Sequence, residues 1–151
     1  MAGTNSNVKA PGAGAKPFSS KSIDYVMDYI VDFSNTLYNM SAAGNNVAPL
    51  FDVKAKQLLN KMTAEVLVAE GGASTIDIGL TGGDVDKFID GADINAVAGT
   101  IYHSGSAAAA EAIIAAGGHM FTEADTIDLL CATGTLLAGK VRFIAHFTDL
   151  S

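Results

Sequence analysis

The chain has 151 residues, 49 % of them apolar, with a formal net charge of −7 and a single cysteine. That length favours one domain with a sizeable core, and the apolar content is too high for a disordered polypeptide. The composition excludes an internal disulfide framework and a multi-cysteine zinc site, offers no run of about eighteen apolar residues for a transmembrane helix, and places an acidic surface that repels nucleic acid and anionic membranes.

Residues 1–21 read as an extended N-terminal arm, and 22–151 as one β-sandwich domain. In the arm, Pro11 and Pro17 with repeated Gly and Ala oppose helix and strand alike. It has no apolar core segment of the kind a secretory signal needs. It carries Lys9, Lys16 and Lys21 without an acid, so it is +3 against a body of −10. Such a segment becomes ordered where a partner supplies contacts that exceed its ordering entropy. Its lysines suit an acidic protein surface better than DNA; plain solubility is the competing explanation.

The body opens with the chain's clearest signal. Ile23, Tyr25, Met27, Tyr29, Val31 and Phe33 hold every odd position, while Asp24, Asp28, Asp32 and Ser34 alternate with them. A two-residue period is that of a strand with one apolar and one mostly acidic face. Val47 to Val53 reads as a strand weakened by Pro49, which suits an edge or a bulge. Leu59 to Ala69 alternates Met62, Ala64, Val66 and Val68 against Thr63, Glu65 and Leu67, and Glu70-Gly71-Gly72 turns the chain. Thr75 to Thr81 places Ile76, Ile78 and Leu80 on one face. Asp84 to Asp90 is expected to form a short helix capped by Asp84, with Val85, Phe88 and Ile89 packed inward. Ala98 to His103 is a shorter strand. Ala107 to Ala116 has high helix propensity, with Gly117-Gly118 as its stop. Thr126 to Thr133 and Lys140 to Asp149 complete the strands, with Ile127, Leu129, Val141 and Phe143 inward. Seven or eight short strands at this spacing describe an all-β, antiparallel, jelly-roll-like sandwich with one or two short helices.

The sequence echoes itself. T-I-D-I-G-L-T-G-G at 75–83 is similar to T-I-D-L-L-C-A-T-G at 126–134. A-G-T-I-Y at 98–102 and A-G-K-V-R at 138–142 follow them in turn. Two strands under the same packing rules would give this, and so would a doubled Greek key.

Chemistry-bearing residues are sparse. Asp84, Asp86, Asp90 and Asp93 form an acidic loop of the type that binds calcium, but without EF-hand spacing. A solvated loop with a helix cap is the favoured reading, and no metal or other cofactor is expected. His103, His119 and His146 are far apart in sequence. Cys131 sits in an apolar strand and reads as a buried, inert thiol. No G-x-S-x-G, P-loop or dinucleotide fingerprint occurs, and no tryptophan offers a sugar platform. The expectation is a non-enzyme.

The stretches A-E-G-G-A-S-T-I-D-I-G-L-T-G-G-D-V-D-K-F-I-D-G-A-D-I-N (69–95), M-F-T-E-A-D-T-I-D-L (120–129) and L-A-G-K-V-R-F-I-A-H-F-T-D-L-S (137–151) resemble virion structural proteins of tailed bacteriophages. The likeness is to the capsid decoration, or cement, proteins of short-tailed phages. It spans residues 24–36 and 47–151. It implies a jelly-roll body, commonly a homotrimer, on the outer surface of the virion's capsid, with the major capsid protein as partner and no reaction. In that setting Lys9, Lys16 and Lys21 would pair with capsid acids, and Pro17-Phe18 would be a small anchor. The alternatives are a phage head-fibre, tail or adaptor component, and a calcium- or carbohydrate-binding β-sandwich adhesion module.

Overall fold

A computed structural model describes residues 22–80, 82–104 and 118–151; within them the chain is the antiparallel β-sandwich that the two-residue periods predict. The strands are β1 (Ile23–Asp32), β2 (Met40–Ser41), β3 (Val47–Val53), β4 (Gln57–Val68), β5 (Thr75–Gly79), β6 (Ile89–Asp93), β7 (Ile101–His103), β8 (His119–Met120), β9 (Asp125–Thr133), β10 (Thr135–Leu136) and β11 (Lys140–Asp149). One sheet runs β1-β11-β4-β7, with β8 also on β4, and the other runs β3-β9-β5-β6. Among the described residues, the two-residue strands β2 and β10 pair only with each other. With β2, β8 and β10 set aside, the remaining eight strands lie in the order first-eighth-third-sixth and second-seventh-fourth-fifth. This is jelly-roll order, two Greek keys wrapped into one sandwich.

The internal echo has a place in this topology. Its two T-I-D segments are β5 and β9, antiparallel neighbours with Ile76 beside Cys131 and Ile78 beside Leu129. Its two A-G segments lead into β7 and β11, which flank β4 on opposite sides.

The expected core forms. Ile76, Ile78, Ile127, Leu129, Val141 and Phe143 are all fully buried, with Phe33, Phe88 and Phe147 among them. Each such side chain contributes about 1.5–3 kcal/mol of burial. Along β11 the alternation is clean from Val141 to Ala145, with Phe147 also inward. Along β4 it slips twice, first at Leu67, since Lys140 pairs with Val68 and Val141 with Val66. His146 pairs with Lys61 and Phe147 with Leu59, so Asn60 bulges and Leu59 and Met62 both face inward. A bulge also interrupts β3 between Pro49 and Phe51, and β3 is an edge strand, as Pro49 predicts.

Two expectations are corrected. Asp84 to Asp90 is not a helix: it is turn and bend up to Phe88, and β6 starts at Ile89. Phe88 and Ile89 are buried as expected, but Val85 is 39 % exposed. The cause is tertiary. Leu80 N–H bonds to Asp84 O at 2.8 Å and Phe88 N–H to Ile78 O at 2.9 Å, so the segment is tied across β5 by non-helical bonds. A seven-residue helix has too few internal bonds to compete. The other correction concerns β1, whose apolar face is only partly covered. Val31 is buried, Tyr25 and Met27 are half-buried, and Tyr29 is exposed, because β1 is an edge strand. The sequence also did not signal the 3-10 turn Thr36–Tyr38, where Asn35 Oδ1 accepts the Leu37 N–H at 3.1 Å. The expected helix at Ala107 to Ala116 lies outside the described residues.

Candidate functional site

The two lateral sides of the sandwich differ. On one side β6 and β7 meet. Tyr102 Oη donates to Asp93 O at 3.0 Å, and the connection between them is bonded to β4 through Val66 N–H to Thr100 O and Gly99 N–H to Val66 O. On the other side β1 and β3 leave a cleft of about 190 Å³ between the sheets. Tyr29, Val31, Tyr38, Met40, Val47 and Leu50 line it, with Leu37, 84 % exposed, at its rim. Tyr29 Oη and Tyr38 Oη lie 3.0 Å apart, and that hydrogen bond raises the Tyr29 phenol's pKa. Asn39 and Asn46 also line the cleft, so its wall mixes apolar side chains with two phenol hydroxyls and two amides; among the described residues no carboxylate, histidine, lysine or cysteine lines it.

The outer face of β1 and β11 is a charged ladder. Asp28 pairs with Arg142, whose Nε donates to both carboxylate oxygens at 3.0 Å and whose second guanidinium nitrogen lies closer still. Arg142 depresses the Asp28 pKa. Lys140 Nζ lies 2.8 Å from Asp32, and with Ser34 it holds the Asp32 carboxyl at about 2. Ile30, between these pairs, and Val26, on the other side of Asp28, stand about half exposed.

The four carboxylates of the acidic loop do not converge on one point. Asp84 and Asp86 hydrogen-bond to each other, which raises the Asp84 pKa. Asp93 Oδ1 instead accepts the Asn95 N–H at 2.9 Å, and Asp90 is an exposed residue of β6. Among the described residues no three His, Cys, Asp or Glu side chains are placed to share a metal ion. The histidines stay apart. His119 is packed edge-on between Phe88 and Phe121, and burial lowers its pKa; His103 Nδ1 lies 3.2 Å from Ser104 O; His146 is exposed on β11. Cys131 is buried, and burial pushes its thiol pKa up. The arm residues Lys9, Lys16, Pro17, Phe18 and Lys21 lie outside the described residues.

One polar centre escaped sequence reading. Glu70, placed by pattern in a turn, is buried. Its Oε1 accepts the Leu137 and Ala138 N–H groups at 2.6 and 3.0 Å, and its Oε2 accepts the Gly139 N–H at 2.6 Å. Its own N–H bonds to Ile94 O, and Gly71 N–H bonds to Asn95 Oδ1. A carboxylate spent on three backbone donors is a staple between loops. The only hint was an acid set among Gly residues next to an apolar strand.

No protein-family model and no curated sequence matches this chain. Its fold does match chains in solved phage capsids. In the acid-stable capsid structure of Helicobacter pylori bacteriophage KHP30 the TM-score is 0.60 at 12 % identity, over 86 % of this chain and 90 % of that one. In the capsid asymmetric unit of cyanophage Pam1 it is 0.58 at 14 % identity, over 99 % of both chains. In the capsid of Ralstonia phage GP4 it is 0.59 at 13 % identity, over 94 % of both. At these identities the likeness is one of fold.

Proposed function

We propose that this chain is a non-enzymatic structural protein of a phage virion, a decoration (cement) protein that binds the outer surface of the capsid and stabilises it. The observation that carries this reading is the length of the fold match. Chains in three phage capsids share the jelly roll over nearly their whole length and nearly all of this one. They are therefore subunits of similar size built as one sandwich, not larger proteins that contain it. The described polar side chains fit such a role: Glu70, Asp28 and Asp32 are engaged in holding strands and loops together.

The partner in this reading is the major capsid protein, and the chain acts as a homotrimer. Linked copies grip a repeated lattice by avidity, since each later contact is intramolecular. The arm adds reach, because 21 extended residues span up to about 70 Å. Lys9, Lys16 and Lys21 pair with acids of the shell, and Pro17-Phe18 seats as the apolar anchor.

Capsids assembled without this chain, then mixed with the full-length protein and imaged by electron cryomicroscopy, test the reading. Added density the size of this jelly roll on the outer shell is expected, with a higher temperature of particle rupture. Reversing the charge of Lys9, Lys16 and Lys21 should lower occupancy, and more at low salt than at high. Bare shells after incubation at micromolar concentration would overturn it.

A further inference from the structure

A jelly roll has four sheet edges, and three here carry devices that discourage strand addition. β3 has Pro49 and a bulge; β6 is five residues long with Gly91 at φ +66°; β7 is three residues long and is bonded to β6 through Tyr102. β1 has none of these. It is ten residues long, contains no Pro, Gly or Lys, and pairs with β11 in unbroken register from Ile23 to Asp32. Its second edge has no partner among the described residues. We infer that this edge is a docking site for an extended segment of another protein, one that alternates basic and aliphatic side chains on its outer face.

The chemistry of the occupant follows from the strand that already pairs with β1. On the outer face, Asp24, Asp28 and Asp32 recur every fourth residue, with Val26 and Ile30 between them. β11 answers with Arg142 on Asp28, Lys140 on Asp32, the Thr148 hydroxyl donating to Asp24, and Ile144 in register with Asp28. Both basic partners approach from the β11 side, and the carboxylates remain about 40 % exposed. A strand added on the other side of β1 stands in the same relation to those acids, so the same complement suits it. On the inner face it would extend cover over Tyr25, Met27 and Tyr29, which β1 leaves incompletely buried.

A second copy of β1 fits less well. Antiparallel registers that keep the acidic face on one side put either Asp opposite Asp, or every Asp opposite Val or Ile. The chain's own basic segment fits less well too, because Lys9, Lys16 and Lys21 are spaced by odd numbers and would alternate between faces.

The test uses the full-length protein and a ten-residue peptide with lysine at its first, fifth and ninth positions and valine, isoleucine and threonine elsewhere. Binding is followed by fluorescence anisotropy, and the site by amide hydrogen exchange. Binding with new protection confined to β1 is expected. Replacing the lysines by glutamates should weaken it at least tenfold, methylating alternate peptide nitrogens should abolish it, and V26K, which is not opposite Arg142 or Lys140, should weaken it at least tenfold without lowering the protein's thermal midpoint. Equal affinity for the glutamate peptide would overturn the proposal, as would protection at β3 instead. So would protection, in the free protein, of those β1 amides that point away from β11, whether concentration-dependent, as for a second copy, or independent of concentration, as for the chain's own arm. These measurements need no capsid, so their failure leaves the decoration reading standing, and bare capsids would leave this proposal standing.

Discussion

The β6–β7 side and the β1–β3 side of the sandwich are built from the same kind of strand, yet one is sealed and the other open. On the sealed side, polar groups tie strands and loops together: buried Asp77 accepts the Gly91 N–H and half-buried Tyr102 donates to Asp93 O, while buried Glu70 ties the end of β4 to the loop 137–139 through three backbone N–H groups. On the open side Tyr29 and Tyr38 bond at the surface above a cleft, and Val26, Ile30 and Leu37 face solvent. Buried hydrogen bonds to a carboxylate are costly to break, whereas exposed ones exchange with water. Stability is therefore concentrated on the sealed side, and the open side is free to change partners.

The largest test of that contrast is Glu70→Ala. It strands three N–H groups that bond to a charged acceptor, and the loop 137–139 leading into β11 loses its anchor. A loss of about 3–5 kcal/mol is expected, read as a drop of roughly 10 °C or more in thermal midpoint. Glu70→Gln should fall between wild type and Ala, because its amide nitrogen cannot accept. A change under 2 °C for Glu70→Ala would remove the staple from the argument.

Next in size is Gly79→Ala. A Cβ at Gly79 would lie 2.3 Å from Asp84 O, so the 84–85 backbone that crosses β5 would have to lift. A cost of about 3 kcal/mol is expected. The buried Phe88 and Ile89 follow that crossing directly, so their amides should lose hydrogen-exchange protection first.

Asp77→Asn should act in the opposite direction. Asp77 accepts the Gly91 N–H at 2.8 Å, and burial, then Asp90 and Asp86, raise its pKa. A carboxyl whose folded pKa lies above the unfolded value contributes most below that unfolded value, and loses the contribution as pH rises through the folded one. Asparagine keeps an acceptor oxygen without the charge. The variant should melt higher than wild type at pH 7, with the gain shrinking toward pH 4. A gain that grows on acidification would reverse the assignment.

The sealed side also shows where sequence reading ends. Two-residue alternation located every long strand, and it identified Ile76, Ile78, Ile127, Leu129, Val141 and Phe143 as core, because burial against a second sheet imposes that period. Pro49 correctly marked an edge with a bulge, since proline cannot donate to a ladder. The helix expected at Asp84 to Asp90 failed because local propensity was overruled by bonds from Asp84 to Leu80 and from Phe88 to Ile78, four and ten residues earlier. The burial of Glu70, read as part of a turn, and of Asp77 was not legible, because their donors come from residues 137–139 and from Gly91, and no local pattern announces such distant pairing. The cleft needs β1 and β3 to lie on the same side of two different sheets, which is a consequence of topology alone.

The finest test compares one hydroxyl on each side. Tyr102→Phe removes a donor to Asp93 O, a backbone acceptor where β6 meets β7. Its loss should cost about 1 kcal/mol. Tyr38→Phe removes a hydroxyl whose partner is the exposed Tyr29 hydroxyl, which water can replace, so its cost should stay below about 0.5 kcal/mol. Both changes delete one oxygen and keep the ring, so chemical denaturation of the two variants side by side isolates the surroundings. The slope of the unfolding free energy against denaturant should be the same for both, because neither alters the area exposed on unfolding. Equal costs would mean that the two sides are closed to the same degree, and the open cleft would then have no energetic distinction from the seam across the sandwich.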